Sequence, residues 1–130
     1  MRTKEFNKWF EEGGPFPQDL TQEEKDHLTR LGRSVKVSWY EDGQKELEYN
    51  YLHGMPHGKH EGWWDNRQKW FEQHFLHGKL HGKWERWWPH GQKELEENHL
   101  HGMKHGVFKE WALNGTLTKD EEYLYGNKIK

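Results

Sequence analysis

The sequence predicts a mainly β protein, a single-layer twisted antiparallel sheet of about four stacked 24-residue β-hairpin repeats with a short N-terminal helical cap. Three observations carry this expectation. Leu-His-Gly occurs at 52–54, 76–78 and 100–102 and returns as Leu124-Tyr125-Gly126. A second His-Gly follows three times, at 57–58, 81–82 and 105–106, and tryptophan falls at Trp39, Trp63, Trp87 and Trp111, all at one constant interval without insertion. Finally, no unit shows a helical pattern, and Asp/Asn-Gly pairs punctuate strand-like runs, as in hairpins.

The first 33 residues lie outside the repeat and read as the cap. Phe6, Trp9 and Phe10 sit at i, i+3 and i+4, an apolar stripe on a short helix closed by Gly13-Gly14-Pro15. Thr21-Gln22-Glu23-Glu24 is a capping box, which starts a second helix running to about Leu31 and ending at Gly32. Solenoids need atypical end units, so these helices are expected to bury their stripe against the apolar face of the sheet.

Residues 34–130 form the repeats, about 34–60, 61–84, 85–108 and 109–130. The turn column holds Asp42-Gly43, His90-Gly91 and Asn114-Gly115, which predicts two-residue type I′ turns with φ > 0 at both central positions. The second unit has Asn66-Arg67 there, so its turn is expected to be strained or of another type. A two-residue turn makes 62 oppose 71, 63 oppose 70 and 64 oppose 69. Alternation along strands then places His60, Trp64, Phe71, Phe75, Trp84 and Trp88 with their column mates on one apolar face. The other face carries Trp39, Trp63, Trp87 and Trp111, flanked by Glu48, Glu72, Glu96 and Asp120. A one-residue bulge would alter the assignment.

The motif Gly-x-x-His-Gly at 54–58, 78–82 and 102–106, the aromatic strand after it and the Asn/Asp-Gly turn resemble the MORN repeat, specifically its bacterial variant type. The resemblance covers residues 34–130, with the motif degrading to Gly126-Asn127-Lys128-Ile129-Lys130. It implies an elongated antiparallel sheet. It also implies a protein partner, since bacterial variants carry an antitoxin-like label.

Composition excludes several function classes. There are no cysteines, so disulfide scaffolds, thiolate metal sites and thiol nucleophiles fall away. A net charge of -2 gives no general drive toward nucleic acid. No apolar run reaches the ~20 residues of a membrane helix, and the start lacks a signal-peptide core, so a cytoplasmic location is expected and membrane attachment is not. Pairs such as His53/His57 have the separation of zinc-finger histidines, but the second His serves the repeated loop and no carboxylate recurs beside it; no metal or cofactor is expected. No Gly-x-Ser-x-Gly elbow occurs, and every notable carboxylate recurs at the repeat period, whereas active sites are singular; no enzyme is expected.

What remains is a protein-binding module, an antitoxin, immunity or assembly subunit, with Trp39, Trp63, Trp87, Trp111, Glu48, Glu72, Glu96 and Asp120 as candidate contacts. The acidic stripe favours a basic partner, and a free edge at 121–125 would give a route to a homodimer. The bland reading of the Trp column is a structural ladder of stacked rings. The rival function is small-ligand or glycan binding, since Trp-rich hairpins also look like choline-binding repeats.

Overall fold

The computed structural model describes residues 20–130, so Phe6, Trp9 and Phe10 lie outside the described residues. The capping box is present: Thr21 Oγ1 accepts from the Glu24 amide and Glu24 Oε1 accepts from the Thr21 amide, each at 3.1 Å. It opens helix α1 (Gln22–Arg30), whose last turn ends at Leu31 with Gly32 at φ 84°. Leu28 is the helix's buried residue, and the helix packs on the first strand.

The rest is one antiparallel open sheet of 11 strands. Its members are β1 (Arg33–Trp39), β2 (Lys45–Leu52), β3 (Met55–Trp63), β4 (Lys69–Leu76), β5 (Lys79–Leu80), β6 (Gly82–Trp87), β7 (Lys93–Leu100), β8 (Met103–Lys104), β9 (Gly106–Trp111), β10 (Leu117–Leu124) and β11 (Asn127–Lys128). Successive strands pair antiparallel, except that β5 and β6 both pair β4, and β8 and β9 both pair β7. β5 and β6 are two halves of one strand, interrupted at His81 where Gly82 takes φ 92°, and β8 and β9 are divided likewise at His105. The chain is thus a continuous meander, with long-range order built from local hairpins.

The turn at the Asp/Asn-Gly column differs from the expected two-residue loop. At the Asp-Gly column, Tyr40 N–H donates to Gln44 O at 2.8 Å and Gly43 N–H to Tyr40 O at 3.0 Å, with φ 87° at Gly43 alone. This is a three-residue loop, a type I turn followed by a left-handed bulge residue. The same pair of bonds recurs at 64–68, 88–92 and 112–116. The two-residue loop with positive φ at both positions sits instead at Leu-His-Gly: His53 51° and Gly54 79°, His77 50° and Gly78 82°, His101 48° and Gly102 85°, Tyr125 46° and Gly126 87°.

The three-residue loop shifts the register at one point in each hairpin. Gly62 opposes Phe71, but Trp63 opposes Lys69, leaving Trp70 as an extra residue. Equivalent shifts put Trp39 opposite Lys45, Trp87 opposite Lys93 and Trp111 opposite Leu117. A bulge re-aims side chains, and here it turns the lysines toward the Trp side. The faces otherwise follow the sequence reading. The aromatic side holds the buried Phe71, Leu95 and Phe108, with His60 stacked on Tyr49 at 4.7 Å and Phe108 edge-on to Tyr123 at 4.9 Å. On β1 the covered side is the opposite one: Arg33 is buried and Val35 and Val37 are half-buried, while Ser34 and Lys36 are exposed.

Candidate functional site

The side opposite the aromatic core is organised as two parallel rows. Across the strands, Glu48, Glu61, Glu72, Glu85 and Glu96 stand directly opposite one another in sequence, followed by Lys109 and Asp120. Like charges in facing positions destabilise a sheet, so the row needs counter-charge, and the re-aimed lysines supply it. Lys45 Nζ lies 2.9 Å from Glu48. Lys69 bonds to Glu61 and reaches Glu72 at 3.1 Å. Lys93 contacts Glu85 at 2.7 Å and Glu96 at 2.9 Å. Burial alone would raise the Glu72 carboxyl, but Lys69 and Lys59 more than offset it and hold it below the usual carboxylate range. Lys93's hydrogen bond does the same for Glu96.

The second row is the Trp column. No ring contact joins two of Trp39, Trp63, Trp87 and Trp111 among the described residues; in the first two units lysines come between them instead. Lys45 Nζ lies 5.8 Å from the ring centres of both Trp39 and Trp63, and Lys69 Nζ lies 5.1 Å from Trp63. These are cation–π distances. Trp39 is 59 % exposed, and the other three are half-buried. In place of the expected stacked rings, Trp39 and Trp63 alternate with ammonium groups, each ammonium shared between a ring and the glutamate row. Asp120, the last member of the acidic set, is exposed and lies 3.6 Å from Lys130.

Shallow grooves open beside this column, between successive turns. One of about 320 Å³ is lined by Gln44, Lys45, Trp63 and Arg67. Another of about 250 Å³ is lined by Gln92, Lys93, Trp111 and Gly115, the same four columns two repeats later. The groove walls are held by side chains that were not among the predicted contacts. Tyr40 Oη donates to Trp63 O at 2.6 Å, Trp64 Nε1 to Trp87 O at 3.0 Å and Trp88 Nε1 to Trp111 O at 3.3 Å. Each ring thereby fixes the backbone of the Trp one unit on.

The other end of the sheet is tied by histidines. His57 Nδ1 accepts from the His77 amide at 3.2 Å, His81 Nδ1 from the His101 amide at 3.2 Å, and His105 Nδ1 from the Tyr125 amide at 3.0 Å. The ring beside each is likewise the next loop's: His57–His77 at 5.2 Å, His81–His101 at 4.8 Å and His105–Tyr125 at 4.6 Å. So the sequence-close pairs such as His53/His57 are not the spatial pairs. Each of these Nδ1 atoms must be unprotonated to accept. Desolvation, then the neighbouring His101, lowers the His81 proton affinity below its ordinary value, and burial lowers that of His60 despite its bond to Asn50 O. No group of three or more His, Asp or Glu is placed to hold a metal ion among the described residues, and no described helix is long and apolar enough to cross a membrane.

The signal for the missed lysines was present, since Lys45, Lys69 and Lys93 also recur at the repeat interval. Compared with protein-family models, characterised proteins and solved structures, the chain matches none.

Proposed function

We propose that this chain is a non-enzymatic, MORN-like repeat module of about four units that binds an extended protein segment along its Trp–Lys side. Such a module serves as an antitoxin, immunity or scaffold subunit. The observation that carries the reading is the recurrence of one groove, with Gln, Lys and Trp in the same columns two repeats apart. Two grooves of like lining on different units suit a long ligand touching several units, and half-exposed, well-anchored indoles are the side chains that concentrate binding energy at protein interfaces.

The partner's charge is revised by the same geometry. The glutamates expected to attract a basic partner are largely matched by Lys45, Lys59, Lys69 and Lys93. Charge reversal at Glu72 or Glu96 would break internal ion pairs before it altered any partner contact. A cage for a quaternary ammonium is disfavoured, because the ammonium groups of Lys45 and Lys69 already lie on the Trp63 ring.

The test is to recover the bound protein from native cells with the intact chain, identify it, and measure its affinity for Trp63→Ala, Trp111→Ala and a Lys36→Glu variant on the far side of β1. The reading expects both Trp substitutions to weaken binding by tenfold or more and Lys36→Glu to leave it unchanged. The reverse ranking would move the binding surface to the aromatic side.

A further inference from the structure

The grooves are not identical, and the difference is one residue. At the bulge position three turns use glycine, Gly43, Gly91 and Gly115, with φ 87°, 96° and 89°, whereas the second uses Arg67 at φ 72°. Left-handed backbone is unfavourable for a residue with a Cβ, and such outliers collect where function over-determines the conformation. Nothing in the turn itself explains the choice. Asn66 makes the same side-chain bond to the Gln68 amide, at 3.0 Å, that Asp42 makes to Gln44 and Asn114 to Thr116. Nor does Arg67 repay its strain through an ion pair, because among the described residues no carboxylate lies within salt-bridge distance of it, and it is exposed.

What Arg67 does have is a place in the groove of about 320 Å³, beside Trp63, Gln44 and Lys45. Lys45 is engaged by Glu48 and by the two indoles. Arg67 therefore presents an uncommitted guanidinium next to a half-buried ring and an amide side chain. The guanidinium fork fits a carboxylate through two parallel hydrogen bonds, and Gln44 offers a further donor. In the corresponding groove farther along, the position is Gly115, and the cation in the lining is Lys93, which is engaged by Glu85 and Glu96.

We propose that the Gln44/Trp63/Arg67 groove is a carboxylate-binding subsite that receives an Asp or Glu side chain of the bound polypeptide and fixes its register along the repeated grooves. The inference rests on the binding reading above and sharpens it, since only one of the turns carries the cation.

The experiment follows the indole N–H resonance of Trp63 and the Nε–H of Arg67 while the full chain is titrated with N-acetyl-tetraglutamate amide, with the matching tetralysine peptide and with inorganic phosphate. Tetraglutamate should shift both resonances saturably and tetralysine should not. Arg67→Gly should weaken tetraglutamate at least tenfold while melting at a higher temperature, because the strain is removed; Arg67→Lys should be intermediate in affinity. The higher melting point keeps loss of binding distinct from loss of fold. Unshifted resonances, or an Arg67→Gly protein that binds tetraglutamate as well as the parent, would overturn the subsite. Tighter binding of phosphate than of tetraglutamate would overturn its assignment to a carboxylate. If tetraglutamate fails while Trp63→Ala and Trp111→Ala still abolish binding of the recovered partner, only the subsite falls; if those substitutions are silent too, the binding surface falls with it.

Discussion

Replacing His57 with Phe tests how the loops are coupled. His57 is 1 % exposed, and its Nδ1 takes the hydrogen of the His77 amide at 3.2 Å. Phe keeps a ring in the site and removes the acceptor, leaving the part-buried His77 amide without its partner beside the buried ring. An orphaned buried donor costs about 1–3 kcal/mol. For 130 residues the unfolding entropy of ~2.1 cal/mol/K per residue makes 2 kcal/mol worth about 7 °C in melting temperature. The same change at His81, which is half-buried, leaves the donor within reach of water and should cost about 0.5–1 kcal/mol. His57→Asn, whose Oδ1 can stand near the lost Nδ1, should recover part of the loss. The pH dependence draws on the His81 bond in these loops and on His60, buried on the aromatic side. His81 and His60 bind protons less readily folded than unfolded, so their contribution is complete above the ordinary value of 6.5 and is lost as pH falls below it. Urea unfolding at pH 7.5 and 5.5, followed by tryptophan fluorescence and far-ultraviolet dichroism, checks both parts. If His57→Phe unfolds at the parent's urea midpoint, or the parent is as stable at pH 5.5 as at 7.5, the account of the loops is refuted.

Three further outcomes can be read in the same urea assay. Phe108→Ala, at a site 1 % exposed between His99 and Tyr123, should cost about 3–5 kcal/mol; a loss under about 1 kcal/mol would mean the aromatic side is not the core. Lys69→Met leaves Glu61 facing Glu72 with Lys59 as their remaining cation, at 3.5 and 3.8 Å, and should cost about 1 kcal/mol at neutral pH, less than the penalty for a fully buried pair because Lys69 is partly exposed and Lys59 stays in place; an unchanged urea midpoint would mean the row does not need Lys69. Gly62→Ala drives a methyl group into the Phe71 ring and against Leu47, and should cost about 1–3 kcal/mol through overpacking, whereas a neutral result would mean the strands are less closely apposed.

Much of this was legible in the chain because a 24-residue repeat imposes its own register. The capping box at Thr21 and Glu24, the helix end at Gly32, and the separation of Phe71, Leu95 and Phe108 from Glu72 and Glu96 all follow from spacing and strand alternation. What spacing left open was the bulge. An Asp-Gly pair serves both a two-residue type I′ loop and a three-residue type I loop with a bulge, because glycine supplies the left-handed residue in either. The two differ by one residue of register, and that residue decides whether Lys45, Lys69 and Lys93 face the core or the glutamates. The type I′ geometry fell to His-Gly at three loops, where histidine is among the non-glycine residues that tolerate left-handed backbone, and to Tyr125-Gly126 at the fourth. The role of the histidines was hidden for another reason: each one's hydrogen-bond partner lies 20 residues away, where a scan for closely spaced ligands does not look.

The most direct measurement of the central claim compares two photo-crosslinking residues in the presence of the recovered partner. One replaces Gln92 in the Trp111 groove, and the other replaces Gln73, which opposes His60 on the aromatic side. The account predicts a cross-link from position 92 that Trp111→Ala suppresses, and none from position 73. Cross-linking from position 73 alone would contradict it.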